Sequence, residues 1–345
     1  MSESLATLLV GFGNVADGLG NDPRMARYFE YGSHAQVLAA HPGFRWLAVV
    51  DPSPAARERA AGFWSVPHVA ADVSKLPSEV TAGVQVLVLA TPPPRDPGLL
   101  DRFPALRAVV LEKPLGMGLK DAEQFVAACA RRQLLVQVPY WRRAVAGFVL
   151  LAKGDLSQRI GRLQSAFGVY GGGLRNNGSH LVDFVRMLFG EVRDARAVGV
   201  ARLAEDAPHR GDVRVPFVLE LTSGASVMVQ SVDFRHYREV GLDAWGTAGR
   251  LTILQESLAV RAYPVDENRG LTGALEVASD RGEVIDCSPA RAFYELYDNL
   301  AVALQGKARL CSPATSALDN ERILETILLS AATLPRPGAE AVTVH

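Results

Sequence analysis

Cysteine is scarce in this chain. Cys129, Cys287 and Cys311 are odd in number and far apart. That argues against a disulfide framework and against a cysteine-rich zinc site, and it fits a reducing cytoplasm. Long apolar runs are also missing, and the N-terminus has no basic start leading into one, so neither a secretory signal nor a spanning segment is expected. An excess of one charge is lacking too: 36 Lys and Arg face 37 Asp and Glu, for a net charge of −1. No electrostatic case for a nucleic-acid or membrane partner follows. There is no fixed-period repeat and no low-complexity segment. What is present is an ordinary globular composition, 48% apolar and 21% charged, over 345 residues. That is long for one core, and two domains are expected.

The rest of the sequence is organised around Leu111-Glu112-Lys113-Pro114-Leu115-Gly116. It follows Ala108-Val109-Val110-Leu111, an apolar run that reads as a buried strand. Burying an unpaired ammonium costs on the order of several kcal/mol, so Lys113 is either partnered or facing a cleft. Open α/β sheets bind ligands beyond the carboxyl ends of their strands, and Lys113 is therefore expected to point at a ligand.

The first third alternates strands and helices. Leu5 to Val10 leads into Gly11-Phe12-Gly13-Asn14-Val15-Ala16, a Gly-x-Gly-x-x-Ala string. Read as a dinucleotide fingerprint, Gly11 allows the tight turn and Gly13 lets backbone approach a pyrophosphate. Ala16 lets the following helix pack close, with its N-terminus aimed at the phosphates. Glycines after a strand also often serve only a turn. The second strand, Arg45 to Val50, ends in Asp51, a carboxylate suited to a ribose 2′-hydroxyl and hostile to a 2′-phosphate, which favours NAD over NADP. Asp51 lies well past the usual ~20 residues after the glycines. An insertion near Asp17 to Gly32 accounts for the excess: a longer crossover, a lid, or a surface excursion. A helix at Ala55 to Phe63, a weak strand at His68 to Ala70 and a strand at Val84 to Ala90 follow. The last stops at Thr91-Pro92-Pro93-Pro94, because proline has no ladder donor. A helix over Gly118 to Gln133 leads to the strand Leu134 to Val138. Six strands with helices between them make a doubly wound parallel sheet.

After Tyr140-Trp141-Arg142-Arg143 the texture changes. A helix near Ala144 to Leu151 precedes strand-like runs at Leu163 to Tyr170, Ala195 to Ala201, Val213 to Leu221, Ala225 to Val232, Glu239 to Trp245 and Arg250 to Ile253. They predict a large mixed or antiparallel sheet. Two amphipathic helices close the chain, one with Phe293, Leu296, Leu300 and Leu304 on a face and Gly306 as its stop, the other carrying Leu318, Ile323, Ile327 and Leu328. The sheet region is interrupted by Gly171-Gly172-Gly173-Leu174-Arg175-Asn176-Asn177-Gly178-Ser179-His180-Leu181-Val182-Asp183. A helix is expected to begin near Ser179, placing His180 in its first turn. The macrodipole there keeps imidazole neutral, as a general base requires, while Asp183 pushes the other way. The alternative is a structural histidine capping a loop.

Taken together, Gly11-x-Gly13-x-x-Ala16, Asp51, Thr91-Pro92, Glu112-Lys113-Pro114 and Asn176-x-Gly-x-His180-x-x-Asp183 resemble the Gfo/Idh/MocA oxidoreductases, over nearly the whole chain and in the right order. The resemblance implies a Rossmann domain over residues 1–142 and a C-terminal α/β domain over 143–345 whose large sheet serves substrate binding and oligomerisation, as a homo-dimer or tetramer. It implies a cis Lys113–Pro114 bond and no metal. It also implies that NAD, with NADP less favoured, contacts Gly11, Gly13, Asn14, Val15, Asp51, Thr91, Pro92, Glu112 and Lys113. The family places a lysine at Lys113 and a histidine at His180 around the substrate carbon and the nicotinamide, and many members have aspartate where this chain has Asn176. Asparagine orients a hydroxyl or His180 but takes no proton, which leaves Lys113 and His180 as the working pair.

The activity implied is reversible oxidation of a ring hydroxyl on a sugar, sugar nucleotide or cyclitol in the cytoplasm. Tyr140, Arg142, Tyr170, Arg175 and Asn177 are candidate substrate contacts, each with packing or a surface pair as its alternative. For a diphosphate-bearing substrate, Arg142, Arg143, Arg24 and Arg27 are the candidate clamp. Two other readings belong to the same family: a glycoside hydrolase that uses bound NAD for a transient oxidation, and a regulator that binds dinucleotide without turnover.

Overall fold

The computed structural model describes residues 4–18 and 22–334. The chain groups into two compact units: Met1–Val145 with Ser288–Asp319, and Ala146–Cys287 with Asn320–His345.

The first unit is built on β1 (Leu5–Val10), α1 (His34–Ala40), β2 (Phe44–Val50), α2 (Pro54–Gly62), β3 (His68–Ala70), α3 (Ser78–Gly83), β4 (Val86–Leu89), β5 (Ala108–Leu111), α4 (Leu119–Arg131) and β6 (Leu135–Gln137). The strands are near-continuous runs of Val, Leu and Ala, as a parallel sheet covered on both faces requires. They pair in the order 3-2-1-4-5-6, all parallel. The strand order reverses between β1 and β4, the place where such sheets bind ligands. One core cluster gathers Leu8, Leu87, Val109, Phe103 and Phe125; the other gathers Leu9, Val49, Val88 and Val110.

The first crossover departs from the expectation of a helix running straight on from the glycines. After Gly13 the chain makes a single turn, with the N–H groups of Ala16 and Asp17 donating to the Gly13 carbonyl. The helix resumes only at α1, where Ser33 caps the start and the Ala35 N–H donates to the Ala16 carbonyl (2.8 Å). In an unbroken helix that carbonyl would be met by residue 20, so Ala35 stands in for it and fifteen residues are inserted. Asp51 follows Gly13 by 38 residues. Without the insertion the gap would be 23, close to the ~20 that a ribose-binding carboxylate needs.

The second unit opens with α5 (Ala146–Leu150) and α6 (Leu156–Ile160), separated by a wide turn with Gly154 at φ 126°. Its sheet holds β7 (Leu163–Tyr170), β8 (Val192–Ala197), β11 (Phe217–Leu221), β12 (Ser226–Ser231), β13 (Gly241–Gly246), β14 (Gly249–Leu254), β15 (Ala259–Glu267), β16 (Leu275–Val277) and β17 (Glu283–Val284). The short β9 (Arg202–Leu203) and β10 (Val213–Arg214) pair apart. The order is 16-15-14-13-7-12-11-8, with β17 on β15, and every pair but β12–β7 is antiparallel. The mixed sheet is thus as expected. The single run foreseen over Val213 to Leu221 is two strands, broken where Pro216 withholds a donor. α7 (Ser179–Phe189) lies between β7 and β8 in sequence and buries Leu181, Phe184, Val185 and Leu188 as predicted; Gly190 ends it at φ 96°.

α8 (Ala292–Leu304) and α9 (Ala314–Ala332) close the described chain. α8 belongs to the first unit, because Tyr297 and Leu300 pack into the cluster that holds Leu9, Val37 and Val49. Among the described residues no helix is long and apolar enough to cross a membrane.

Candidate functional site

The ladder register aligns the strand ends of the first unit. Val10 pairs with Val50 and with Leu89, and Leu89 pairs with Leu111. Gly11, Asp51, Ala90 and Glu112 therefore form the next row across the carboxyl edge, and Thr91 and Lys113 lie one residue beyond. Gly11 and Glu112, 101 positions apart in sequence, share this row because the sheet is parallel.

Gly11 sits at φ 87°, where a side chain is strained, and a Cβ would fall 2.8 Å from the Ala90 carbonyl group. At Gly13 a Cβ would meet no atom of the described residues within 4 Å, its chain neighbours aside, so the turn offers room for a close approach. The Asp51 carboxylate is tied to the turn: Oδ2 accepts from the Phe12 N–H (2.7 Å) and Oδ1 from the Ser53 N–H (2.8 Å). Each oxygen keeps a second lone pair for a ribose hydroxyl. Together the open glycine turn and the fixed carboxylate fit a dinucleotide. The helix dipole expected behind the phosphates is reduced to one turn, for the reason given above.

Glu112, an expected cofactor contact, has its carboxylate engaged within the protein. It is buried, and its carboxylate takes the Lys113 N–H (3.2 Å) and the ring of His34 (3.2 Å). His34 is fully buried and its other nitrogen lies 2.6 Å from the Tyr297 hydroxyl. A neutral ring satisfies every partner: Nε2–H donates to Glu112 and Nδ1 accepts from the phenol. Burial, with the Glu112 charge nearby, pushes the Tyr297 hydroxyl well above its usual range and keeps it a donor. Lys113 is half-buried, and the Lys113–Pro114 bond is cis. Neither His34 nor Tyr297 stood out in the sequence, since each is one polar residue on an otherwise apolar helix face.

In the second unit, Asn176 and His180 lie four residues apart along continuous helical backbone. α7 does not start at Ser179 in isolation: Leu174–Gly178 form a π-turn that runs directly into it, and Gly178 is itself helical at φ −56°, ψ −39°. The helical start is thus more than a turn before His180, and the macrodipole argument for a neutral ring loses its basis. Such π-turns recur at functional sites. His180 is half-exposed. The Asp183 carboxylate accepts from Asn320 Nδ2 (2.9 Å), and Asn320 Oδ1 accepts from Arg186 (2.7 Å), a buried structural chain.

The start of the π-turn is capped from 36 residues away. Asp212 is buried, and its carboxylate accepts from the N–H groups of Arg175 (3.1 Å), Asn176 (3.1 Å) and Val213 (2.8 Å). Gly173, at φ 94°, makes room for it: a Cβ there would stand 2.1 Å from Asp212 Oδ2. The side-chain amides of Asn176 and Asn177 fold back onto the carbonyls of Gly172 (3.0 Å) and Gly171 (2.9 Å). Asp212→Ala leaves three N–H groups without their acceptor and is expected to cost about 1–2 kcal/mol. Thermal scanning should show a midpoint lower by a few degrees, with Asp212→Asn recovering part of it.

The proposed substrate contacts divide. Tyr170 is fully buried, and its hydroxyl donates to the Val215 carbonyl (2.8 Å) and accepts from the Val215 N–H (3.0 Å). Burial raises it far above an ordinary phenol, and its hydrogen is spent on that partner. It is a core residue. Tyr140 is 1% exposed and belongs to the apolar cluster of the first unit. Arg175 pairs with Glu321 (3.4 Å) and Glu325 (3.3 Å). Arg142 is buried with its guanidinium 4.3 Å above the Trp141 ring, and Arg143 donates to Ser316. Arg24 and Arg27 are exposed. Among the described residues no group of three or more His, Cys, Asp or Glu side chains is placed to hold a metal.

A parallel sheet with an open glycine turn on its first strand, a carboxylate on its second and a lysine beyond its fifth defines a dinucleotide-binding protein of the Rossmann class with a second, mixed-sheet domain. Comparison with known sequences narrows this. Residues 27–140 match the oxidoreductase family with an NAD-binding Rossmann fold, and residues 147–252 match the Gfo/Idh/MocA C-terminal domain. The chain belongs to the Gfo/Idh/MocA oxidoreductases, and its cofactor class is NAD.

Inositol 2-dehydrogenase of Rhizobium meliloti (strain 1021) is 28% identical over 221 residues. The match spans 57% of this chain and 64% of that enzyme, less than two thirds of its length. An oxidoreductase from Agrobacterium radiobacter in complex with NAD+, L-tartaric acid and magnesium superposes with a TM-score of 0.71 at 15% identity, covering 96% of this chain and 97% of that one. The WlbA dehydrogenase from Bordetella pertussis in complex with NADH and UDP-GlcNAcA superposes at 0.67 and 20% identity, covering 97% and 100%. At these identities the likeness is one of fold.

Proposed function

We propose that the protein is an NAD-dependent dehydrogenase that oxidises a ring hydroxyl of a sugar, sugar nucleotide or cyclitol, and reduces the corresponding ketone in reverse. The observation that carries this is the row of strand ends: a half-buried lysine stands one residue past the row of Gly11, Asp51, Ala90 and Glu112, at the edge where the sheet takes its dinucleotide. Bound NAD supplies the hydride acceptor. Lys113 donates a hydrogen bond to the substrate oxygen and favours the developing alkoxide. His180 takes the hydroxyl proton as general base. Asn176, lacking a titratable proton, orients rather than relays. The relatives named above, an inositol dehydrogenase and a structure holding a nucleotide sugar, support the substrate class. Asn177, with its carbonyl oxygen, and Arg142 remain the proposed substrate contacts, and a homo-oligomer is the expected assembly.

The test pairs NAD and NADP with free sugars, cyclitols and nucleotide sugars and follows absorbance at 340 nm. Growth with NAD and one carbohydrate class supports the reading. Thermal stabilisation by dinucleotide with no absorbance change across the panel overturns it. Asp51 sets the cofactor choice: Asp51→Ala should raise the KM for NAD by about tenfold, ~1.4 kcal/mol of lost hydrogen bonding to a charged group, and narrow the preference over NADP.

A further inference from the structure

The prolines that end β4 and follow β5 leave a shortage of donors. The last ladder bond between these strand ends is from the Glu112 N–H to the Leu89 carbonyl (3.0 Å). Beyond it, Pro92, Pro93, Pro94 and Pro114 have no N–H, so the sheet cannot continue to hold the two chain ends together. The carbonyls there still require donors where they are buried.

One side chain supplies them. Arg95 is 6% exposed. Its Nη1 donates to the carbonyls of Pro114 (2.8 Å) and Leu115 (2.8 Å), and its Nη2 to those of Thr91 (2.9 Å) and Glu112 (2.8 Å). Four acceptors on two chain segments thus converge on one planar fork, a geometry that ammonium or amide cannot reproduce. The Glu112 and Pro114 carbonyls flank Lys113 on either side. The Lys113 side chain therefore projects from a peptide pinned at both ends to the neighbouring strand end.

We propose that Arg95 is a positioning residue that sets the place of Lys113 and ties it to Thr91. The proposal rests on the reading of Lys113 as the hydrogen-bond donor to the substrate oxygen. Displacement of a reacting group by about 1 Å costs on the order of a hundredfold in rate, so a loosened Lys113 should show in turnover more than in substrate affinity.

The chain has only five lysines, Lys75, Lys113, Lys120, Lys153 and Lys307. Reductive 13C-dimethylation, which keeps their charge, therefore gives a sparse NMR spectrum, and the Lys113 resonance is identified by its loss in Lys113→Arg. In the wild type that resonance should stand apart from exposed lysines and move on addition of NADH. In Arg95→Gln it should collapse toward the exposed group and respond weakly to NADH. With an active substrate, kcat should fall by roughly tenfold to a hundredfold while KM stays within about threefold. An unchanged Lys113 resonance, or an unchanged kcat in a variant that merely melts earlier, overturns the proposal. Should Arg95→Gln not fold, Arg95→Lys decides in its place: it keeps the charge and loses the fork, and a native Lys113 signal there defeats the assignment. The two readings separate cleanly. A wild type inactive on every carbohydrate, whose Lys113 resonance is still perturbed by Arg95→Gln, refutes the dehydrogenase reading and leaves the positioning role standing.

Discussion

Lys113→Ala is expected to lower kcat by roughly 10²- to 10³-fold, the usual cost of losing one preorganised donor to a developing oxyanion. Dinucleotide affinity should remain within about threefold, less than 0.7 kcal/mol, because the proposed grip on the cofactor lies mainly in the Gly11–Val15 turn and Asp51. The backbone of the variant has every reason to stay in place. Glu112 keeps His34, and Arg95 keeps its four carbonyls, none of which belongs to Lys113 itself. Steady-state kinetics with NADH titration in parallel measures both quantities. A fall in kcat of less than about tenfold, ~1.4 kcal/mol of barrier, would remove Lys113 from the chemistry.

His180→Ala is expected to cost about 10²- to 10⁴-fold, the range for a positioned general base. A second signature accompanies the loss. With His180 as the proposed base in hydroxyl oxidation, kcat/KM of the wild type should fall on acidification; in the variant that acidic limb should disappear. A histidine that only caps a loop would leave the limb in place and show its effect in melting temperature instead. Rate profiles of the two proteins over the same pH range decide between them. The turn ahead of His180 is held by Asp212 and by the amides of Asn176 and Asn177, contacts that the substitution leaves in place.

The Rossmann sheet was legible in the sequence because its strands are short apolar runs, four of which give way at once to glycine, a charged residue or proline: Gly11, Asp51, Thr91-Pro92 and Glu112-Lys113-Pro114. Those same strand ends hold most of the proposed cofactor contacts, so strand assignment and candidate site go together. What stayed hidden depends on contacts distant in sequence. Asp212 caps residues 175 and 176 from a loop with no pattern of its own. Arg95 reads as one charged residue in a proline-rich loop until four carbonyls are seen converging on it. β15 escaped notice because Pro264 and the charged Arg261, Asp266 and Glu267 break its apolar alternation; the strand runs through them at the margin of the sheet. For Tyr170 and Tyr140 the sequence leaves ligand contact and packing both open, because an aromatic side chain near a strand end serves either.

The hydrogen bond from Ala35 to Ala16 has a consequence for how this chain tolerates change. It brings the two ends of the inserted segment together as neighbours on one helical turn, so the sheet is indifferent to how many residues lie between them. Loop-closure entropy grows only slowly with length, about 0.6 kcal/mol per doubling, and a longer or shorter segment could be spliced at this junction at little thermodynamic cost. What the present segment adds is its own docking: the Glu30 and Tyr31 N–H groups meet the Ala290 carbonyl, Phe29 stands edge-on to Trp141, and Tyr31 lies against Tyr294. A segment of another length joined across residues 16 and 35 is therefore expected to leave the register of the ladder beneath it unchanged.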